Sequence, residues 1–424
     1  MTSQVVGDRA VALRVVRVLW VLGGRIALRA FWTVRSLLRK DDFARHGWSA
    51  GTVVALGPAF VKAAQLLSTR SDVLPPRLCR ALSRLYDQVR PMPASQAREL
   101  VRSRFGAVGT RLVGAGSIAC VYRVRLPDGR DVAVKVRRPG IDRSLTADLA
   151  VFERGARLVA RLPGLRGVPV VEIVSQLTET IRTQLDFERE AESLDGFRAA
   201  MAEVGGVTVP AVDRELSTGD LVVMDFVDGL TRLRPQEMGE AERRRAVVTA
   251  LRAVYRMLFL DGVVHCDLHP GNLYFRGDGT IVILDAGFTV RLSDPAREKF
   301  AAFFYCMSQG DGEACADIVL STAGAAPSAD QHAFRAELAA LVTERAGRSA
   351  AEFDLVSFAT RLFAIQRRHG FYADPQFVFP ILSLVVLEGT VREFYPEVDF
   401  QREAGPSLVT ALMESVLAAR GEAK

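Results

Sequence analysis

The sequence predicts an α+β protein of two lobes, one rich in β-sheet and one helical, with a helical extension before them. In the sheet-rich part, apolar residues alternate with period two from Val121 to Leu126 and from Asp131 to Val136. The pattern beyond Ser293 is almost wholly helical, and the residues from about Asp41 to Tyr86 also have a helical pattern. With 424 residues, 49% of them hydrophobic, the chain can bury a core in each lobe.

Residues 1–40 are predicted to contain a basic amphipathic helix. At about 100° per residue, seven cations fall within an arc of roughly 140°, which leaves the rest of the helix surface apolar. These cations are Arg14, Arg17, Arg25, Arg29, Arg35, Arg39 and Lys40. Such a helix can lie among the headgroups of an anionic membrane, or it can pack its apolar face on its own protein. No stretch has the ~20 uncharged residues that a membrane span requires.

Changes of pattern divide the rest of the chain. We expect a helical extension over residues 41–95, the sheet-rich lobe over residues 96–229 and the helical lobe over residues 230–424. Two β-hairpins are predicted, with turns at Pro127–Arg130 and Arg276–Gly279, because glycine supplies the positive φ that a tight turn needs. The two lobes are expected to meet near Asp228.

Composition excludes several classes of protein. Five cysteines form no CxxC or metal-type cluster, and no stretch at the start resembles a cleavable signal peptide, so we expect a cytoplasmic protein with free thiols. The basic helix adds peripheral attachment to the cytoplasmic membrane as an alternative. The formal charge of +6 is small for this length, and no block of cations interleaved with aromatic residues indicates a nucleic-acid partner.

A group of polar residues stands within the apolar stretch Val263–Phe275, which reads VVHCDLHPGNLYF. Asp267 and Asn272 are five residues apart, the spacing of the kinase catalytic loop HxDxxxxN, and His265 occupies the histidine position. The second predicted hairpin then returns the chain to Asp285, thirteen residues after Asn272. An amide and a carboxylate oxygen would meet there, and oxygen ligands of this kind suit Mg²⁺.

Two other interpretations of this stretch are open. His265 and His269 are four residues apart, as in a helical zinc site, but Pro270 and Gly271 disfavour a helix here. The stretch can also be a polar turn without chemistry.

The sheet-rich lobe contains a candidate nucleotide site. Lys135 lies in the middle of a strand, on the opposite face from the valines around it, and is a candidate partner of the α- and β-phosphates. The alternative is an edge-strand lysine that extends into water. Glu190, on a later helix, is its candidate partner. One hairpin before Lys135, a small-residue loop can bring backbone N–H groups to phosphate oxygens. Its residues are Gly114, Ala115, Gly116 and Ser117.

At these residues the chain resembles the UbiB/AarF/ADCK-type atypical kinases, a branch of the protein-kinase-like superfamily, from about Gly57 to Phe400. GPAFVKAAQ is similar to that family's KxGQ signature, and QLDFEREA is similar to its ExD signature with the lysine-pairing glutamate that follows. GAGSIACVY stands in place of the family's alanine-rich nucleotide loop, VKVRRPGI resembles its third strand, and HCDLHPGN resembles its catalytic loop.

The resemblance implies a protein-kinase-like two-lobed fold whose N-terminal helical extension packs over the active site. It implies ATP or ADP with Mg²⁺ as cofactors, weak or absent protein kinase activity, and a role in isoprenoid lipid or quinone metabolism at a membrane, beside lipid-biosynthesis enzymes. Spacing and resemblance together assign catalytic roles to Asp267, Lys135 and Glu190 and metal ligation to Asn272 and Asp285. The nucleotide contacts are assigned to Gly114, Ala115, Gly116, Ser117, Lys135, Asp225 and Val227. The resemblance alone implies a catalytic role for Lys62 and a substrate-occluding extension that contains Lys62, Gln65, Gln184 and Asp186.

Several departures from the family pattern carry their own expectations. Gln184 replaces the first signature glutamate, which weakens any ion pair to Lys62 and predicts looser closure of the extension. Glycines at positions 114 and 116 replace alanines and add backbone freedom, which is expected to change nucleotide preference. Ala64 replaces the signature glycine, and Ala286 replaces an aromatic residue beside the metal-ligand candidate.

Three functions follow from these observations. The first is an atypical kinase or ATPase that acts near lipid. The second is a nucleotide-binding scaffold that regulates lipid-biosynthesis enzymes with little turnover. The third is a soluble small-molecule phosphotransferase, although such an enzyme has no need of the GPAFVKAAQ extension.

Overall fold

A computed structural model describes most of the chain as two compact units. Unit 1 comprises residues 1–186 and 216–223, and unit 2 comprises residues 187–215 and 224–424. Within them, the described residues are 14–18, 55–69, 92–106, 109–161, 170–230, 232–269, 271–326, 329–345 and 354–419.

Unit 1 combines helices with a four-stranded sheet. Its elements are α1 (Pro58–Thr69), α2 (Ala94–Phe105), β1 (Gly109–Ala115), β2 (Ala119–Arg125), β3 (Asp131–Arg137), α3 (Ile141–Val159), α4 (Val170–Thr183) and the first residues of β5 (Leu221–Asp225). The sheet order is β1-β2-β3-β5, and β1, β2 and β3 run antiparallel to one another. The turn between β2 and β3 is the first predicted hairpin turn, with Gly129 at φ +87°.

Alternation along the strands builds the core of unit 1. In β3, Val132, Val134 and Val136 are buried while the residues between them are partly exposed. These valines pack with Tyr122 and Val124 of β2, so one face of the sheet is apolar and the other is available for polar chemistry. Helix α1 packs against α3, where the rings of Phe60 and Phe152 meet edge to face at 4.7 Å.

Residues 14–18 are helical and are held to unit 1 by one buried ion pair. The Arg14 guanidinium pairs with the carboxylate of Asp148, which is completely buried in α3, and donates to the carbonyl oxygen of Leu56. Val15 and Val16 are exposed. Burial at Arg14, Val15 and Val16 is therefore the reverse of the predicted amphipathic pattern, because a buried carboxylate requires a cation partner, whereas Arg17 is exposed as predicted. Residues 1–13 and 19–40 of the predicted helix lie outside the described residues.

Unit 2 is mainly helical and contains three small sheets. Its helices are α5 (Phe187–Ala202), α6 (Glu240–Arg256), α7 (Asp294–Gln309), α8 (Gly312–Leu320), α9 (Gln331–Arg345), α10 (Leu355–Arg368), α11 (Pro375–Phe394) and α12 (Phe400–Ala419). Its strands are β4 (Val207–Thr208), β6 (Val263–His265), β7 (Leu273–Phe275), β8 (Ile281–Ile283), β9 (Thr289–Arg291), β10 (Gly324–Ala325) and β11 (Phe371–Tyr372). The sheet orders are β4-β8-β7, β6-β9 and β10-β11. Among the described helices, none is long and apolar enough to cross a membrane.

The second predicted hairpin is formed by β7 and β8. The N–H of Gly279, at φ +82°, donates to the carbonyl oxygen of Arg276 at 2.9 Å and closes the turn. At the other end of the hairpin, the N–H of Leu284 donates to the carbonyl oxygen of Asn272 at 3.0 Å. The hairpin therefore brings the residue before Asp285 beside Asn272.

A buried glutamate ties three helices of unit 2 together. Glu388 of α11 is 1% exposed and accepts the N–H groups of Leu355 and Val356, at 3.2 and 2.8 Å, at the start of α10. It also accepts a bond from Arg392 at 2.7 Å, and the Arg392 guanidinium lies 5.3 Å from the centre of the Phe400 ring in α12. A negative charge at the positive end of α10 and a cation beside it explain why this carboxylate is tolerated in the core.

Because Arg14 pairs with the buried Asp148, we expect that replacing Arg14 lowers stability to an extent that depends on pH. Burial raises the pKa of Asp148 above its usual 3.8, and the hydrogen bond and charge of Arg14 act in the opposite direction. Arg14→Met leaves the Asp148 charge buried alone, so we expect a loss of about 3–5 kcal/mol at neutral pH. As the pH falls from neutral into the acid range and passes through the raised pKa of Asp148, protonation removes the charge and the loss of stability shrinks.

The measurement is urea unfolding of both proteins across that pH range. Arg17→Met is the matched control because Arg17 lies on the same helical turn but is exposed. The assignment would be contradicted if the stability lost in Arg14→Met did not change with pH. It would also be contradicted if Arg17→Met lost as much stability.

Candidate functional site

His265 joins the two loops of unit 2 that contain the predicted catalytic and metal-binding residues. Its Nδ1 accepts the backbone N–H of Asp267 at 3.1 Å, and its Nε2 makes a short hydrogen bond to the backbone carbonyl oxygen of Asp285. Because Nδ1 is the acceptor, the ring proton is on Nε2, which donates. One uncharged imidazole therefore fixes the backbone at both Asp267 and Asp285.

The surroundings of His265 favour this uncharged form. The residue is completely buried, and its ring lies against the Phe197 ring of α5 with centroids 5.8 Å apart. Burial lowers the pKa of the imidazole, against the opposing effect of the nearby Asp285 and Asp267 carboxylates. The hydroxyl of Ser383 in α11 donates to the His265 carbonyl oxygen at 2.8 Å, which anchors the end of β6. Both ring nitrogens of His265 contact the backbone, a geometry that argues against the zinc interpretation.

Asn272 is held by the loop it closes. Its backbone N–H donates to the carbonyl oxygen of His269 at 2.8 Å, and its side-chain Nδ2 donates to the carbonyl oxygen of Asp267 at 2.9 Å. With the amide nitrogen engaged, Oδ1 is the end of the side chain that can accept a cation. The Asp285 carboxylate is oriented by the N–H of Gly287, which donates to its Oδ1 at 2.7 Å.

Gly287 lies in a narrow space between two carboxylates. A β-carbon at this position would lie 3.0 Å from Oδ1 of Asp285 and 3.3 Å from Oε2 of Glu190. Glu190 is buried in α5, at 3% exposure, so unit 2 places its carboxylate beside the metal-ligand candidate. Lys135, its predicted partner, belongs to unit 1, and the pairing stays a prediction.

The donor set fits a hard divalent cation. Asn272 and Asp285 offer oxygen atoms, which Mg²⁺ prefers, and the adjoining hairpin ends bring their backbones together. A sulfur ligand, which a transition metal favours, is disfavoured here, because burial raises the pKa of the Cys266 thiol and the thiolate is the ligating form. The group able to accept a proton next to this pair is Asp267.

The candidate nucleotide loop of unit 1 forms a tight, tethered turn. Gly114 and Ala115 end β1 after a bulge, and Gly116 and Ser117 make the turn into β2. The Gly116 N–H donates to the Ala119 carbonyl oxygen at 2.8 Å. Neither Gly114 nor Gly116 has a positive φ, and a β-carbon at Gly114 would meet no atom within 4 Å, so the fold itself does not demand these glycines.

Arg138 tethers this loop to the end of β3. Its Nε donates to the Gly116 carbonyl oxygen and its backbone N–H donates to the Ile118 carbonyl oxygen, both at 2.9 Å. No role was predicted for this arginine, because no local pattern predicts a contact over twenty-two residues. Lys135 lies three residues earlier, on the face of β3 opposite the buried valines, and pairs in register with Val121 of β2.

The predicted extension residues occupy different positions in unit 1. Lys62 is half-buried in α1, and the side chain of Gln65 lies outside the described residues. Gln184 follows α4 and is 6% exposed, and its Nε2 has no hydrogen-bond partner among the described residues. Asp186 stands two residues later, at the end of unit 1.

The two remaining nucleotide-contact candidates lie in unit 2, at and after the end of β5. Asp225 exchanges hydrogen bonds with Ala211: its N–H donates to the Ala211 carbonyl oxygen at 2.9 Å, and its Oδ2 accepts the Ala211 N–H at 3.3 Å. This carboxylate therefore has a structural contact. Val227, two residues on, is half-buried.

Comparison with known proteins places this chain in an atypical kinase-like family. The profile of the ABC1 atypical kinase-like domain matches residues 81–319. An uncharacterized protein of Synechocystis is 31% identical over 288 residues, 63% of this chain and 71% of that protein. The probable protein kinase UbiB of Marinobacter nauticus is 28% identical over 369 residues, 83% of this chain and 67% of the relative. The probable protein kinase UbiB of Aeromonas salmonicida is 27% identical over 410 residues, 93% and 74% of the two chains.

A solved structure agrees at the level of the fold. The structure of a Mycobacterium tuberculosis protein in complex with erythromycin is similar with a TM-score of 0.53, at 20% identity, over 80% of this chain and 89% of that one. The predicted α+β, kinase-like fold and the resemblance to the UbiB-type family are confirmed. Since the domain profile matches more than half of its residues, this chain belongs to the ABC1 atypical kinase-like family.

Proposed function

We propose that this protein binds Mg-ATP and is an atypical kinase or ATPase that transfers the γ-phosphoryl group to an acceptor hydroxyl or to water. The observation that carries the proposal is the convergence in unit 2 of Asp267, Asn272 and Asp285, held by one buried imidazole and one hairpin. A polar turn without chemistry would not need all three to be held by separate backbone contacts.

The proposal gives each group a role, argued from its position within one unit where the structure describes it and otherwise from the family resemblance. Asp267 accepts the proton of the attacking hydroxyl, whose oxygen bonds to the γ-phosphorus while the bond to the ADP oxygen breaks. Oδ1 of Asn272 and the carboxylate of Asp285 are the oxygen atoms that hold Mg²⁺, which neutralises charge on the transferring group when bound. Lys135 positions the α- and β-phosphates with Glu190 as its partner, and Lys62, Gln65, Gln184 and Asp186 restrict access of large substrates.

We assign binding of the nucleotide phosphates to the small-residue loop of unit 1. The Gly116 N–H is already used within the loop, where it donates to the Ala119 carbonyl oxygen, so the phosphates are assigned to the other backbone N–H groups of Gly114–Ser117. The tether from Arg138 keeps the turn formed. The backbone at Asp225, the last residue of β5, and Val227 after it contact the base. Orientation and charge neutralisation, rather than covalent chemistry by the protein, supply most of the catalysis in such a site.

The proposal also assigns the protein to lipid metabolism at a membrane. Family membership and the UbiB relatives support a role in isoprenoid lipid or quinone metabolism, with the protein in the cytoplasm and attached peripherally to the membrane. The cluster of cations between Arg25 and Lys40 supports contact with an anionic bilayer.

Asp285→Asn tests the phosphoryl-transfer chemistry. It keeps the shape of the side chain and removes the one negative charge of the proposed Asn272–Asp285 ligand pair, so we expect Mg-dependent ATP turnover to fall about 100-fold or more. Asp278→Asn is the control, because Asp278 lies in the turn of the same hairpin, where it only accepts bonds from Thr280. Equal turnover in Asp285→Asn and the unmodified protein would favour the nucleotide-binding scaffold.

Replacing Gly114 and Gly116 by alanine tests the freedom of the nucleotide loop. Both alanines fit the structure, since the nearest atom to either added β-carbon is the Ala119 carbonyl oxygen at 3.4 Å. Each alanine reduces the freedom that the folded loop gives up when a nucleotide binds; if this is worth up to about 1 kcal/mol, as for backbone substitutions of this kind, ATP and ADP bind up to about fivefold more tightly.

Calorimetric titration with each nucleotide and Mg²⁺ measures the effect. Gly129→Ala is the contrasting variant, since φ +87° strains any other residue, and it should lower stability without changing affinity. Unchanged affinities for both nucleotides in the loop variants would remove loop freedom as an influence on nucleotide preference.

Neutralising the basic N-terminal cluster tests attachment to lipid. A variant with Arg25, Arg29, Arg35 and Arg39 changed to Gln should co-sediment at least about tenfold more weakly with vesicles of phosphatidylglycerol and phosphatidylcholine, because each lost cation removes roughly 1 kcal/mol of attraction. The control variant changes four exposed arginines of unit 1 to Gln, namely Arg98, Arg102, Arg104 and Arg111. Equal weakening in both variants would show that total charge, and not this segment, governs attachment.

A further inference from the structure

His269 is the second histidine of the catalytic loop, and its side chain is fixed by the backbone around it. Its Nδ1 accepts the N–H of Gly271 at 2.9 Å, so the ring proton lies on Nε2. That nitrogen lies 3.8 Å from Oδ1 of Asp267, with the two side chains 33% and 24% exposed. Among the described residues, no other basic side-chain nitrogen lies within 4.0 Å of this carboxylate.

Gly271 provides the space for the His269 ring. A β-carbon on Gly271 would lie 2.5 Å from Cε1 and 2.9 Å from Nδ1 of the imidazole, well inside contact distance. The φ of Gly271 is outside the left-handed region, so the backbone would accept another residue. The glycine is therefore required by the ring that lies over it, which means that the position of the imidazole is built into the loop.

The backbone of Asp267 is already held from other directions. Its N–H is bound by His265 and its carbonyl oxygen by Asn272, but neither contact sets the direction of the carboxylate. A carboxylate that accepts a proton in phosphoryl transfer must present one oxygen to the acceptor hydroxyl. A hydrogen-bond donor to the other carboxylate oxygen would hold the carboxylate in this orientation.

We propose that His269 is a positioning residue for phosphoryl transfer: its Nε2–H donates to Oδ1 of Asp267 and directs the second carboxylate oxygen toward the acceptor hydroxyl. The inference rests on the proposed function. The separation of 3.8 Å is longer than a hydrogen bond, and catalytic contacts of this kind shorten when substrate binds. The ring keeps its proton throughout, and the proton of the acceptor hydroxyl goes to Asp267.

The structure predicts a specific kinetic signature. His269→Ala leaves the backbone bonds of residue 269 to Asn272 and Leu273 in place, so the magnesium and nucleotide contacts persist. We expect kcat to fall about 10- to 100-fold with the KM for ATP unchanged within about twofold. His269→Gln, whose amide N–H can reach the place of Nε2–H, should recover most of the lost kcat.

Gly271→Ala tests the same contact from the other side. The added methyl group displaces the ring, so kcat should fall as it does in His269→Ala. In the double variant there is no ring to displace, and Gly271→Ala should cost little more. Thermal melting of each variant, with nucleotide and Mg²⁺, shows that it is folded and still binds.

The experiment measures steady-state ATP turnover by the full chain for all four variants, with Asp285→Asn in the same series. A wild-type kcat in His269→Ala, a change in KM alone, no recovery in His269→Gln, or additive losses in the double variant would each overturn the positioning role. If Asp285→Asn abolishes turnover in that series, the proposed function survives such a failure. If the unmodified protein has no Mg-dependent turnover, the proposed function fails and this inference fails with it.

Discussion

The candidate site depends on the two hydrogen bonds that the His265 ring makes to the backbone. The strands around it are three residues long, too short to fix a catalytic geometry through their own ladders. A buried imidazole with one acceptor and one donor spans twenty residues of sequence and holds the backbone at Asp267 and Asp285 simultaneously. In a site of low polarity such hydrogen bonds are stronger than in water, and leaving a buried donor or acceptor without its hydrogen bond costs free energy. The side chain must therefore be uncharged, and its burial against Phe197 keeps it so.

The two hairpins were predictable from sequence because their information is local. Gly129 and Gly279 adopt the positive φ expected of them, and alternation in the strands gives the face on which Lys135 lies. The approach of Asn272 to the end of β8 follows from the hairpin length alone. Family membership and the kinase-like fold were likewise recognisable from motifs whose order along the chain matters more than any one of them.

Other contacts could not be predicted because they join distant parts of the chain. A helical period identifies the polar face of residues 14–18, but it gives no sign that Asp148 is buried 134 residues later and recruits Arg14. The tether from Arg138 to Gly116 and the packing of the His269 ring over Gly271 are of the same kind. In each case the sequence shows a charge, a ring or a glycine, and only the folded chain shows which atom it faces. The residues of the candidate catalytic loop were thus predicted, but the orientations of their side chains were not.

The alanine at position 286 illustrates how orientation is maintained despite a departure from the family pattern. Ala286 is 2% exposed and supplies no aromatic ring, but Phe288, two residues later, packs edge to face against Phe379 of α11 at 5.1 Å. The Phe288 carbonyl oxygen also accepts the N–H of Cys266 at 2.9 Å, which continues the pairing of β6 with β9. The segment that carries Asp285 is therefore anchored on one side by the imidazole and on the other by this ladder. Its position depends on backbone contacts at both ends, so the loss of a ring at 286 changes the packing without releasing the carboxylate.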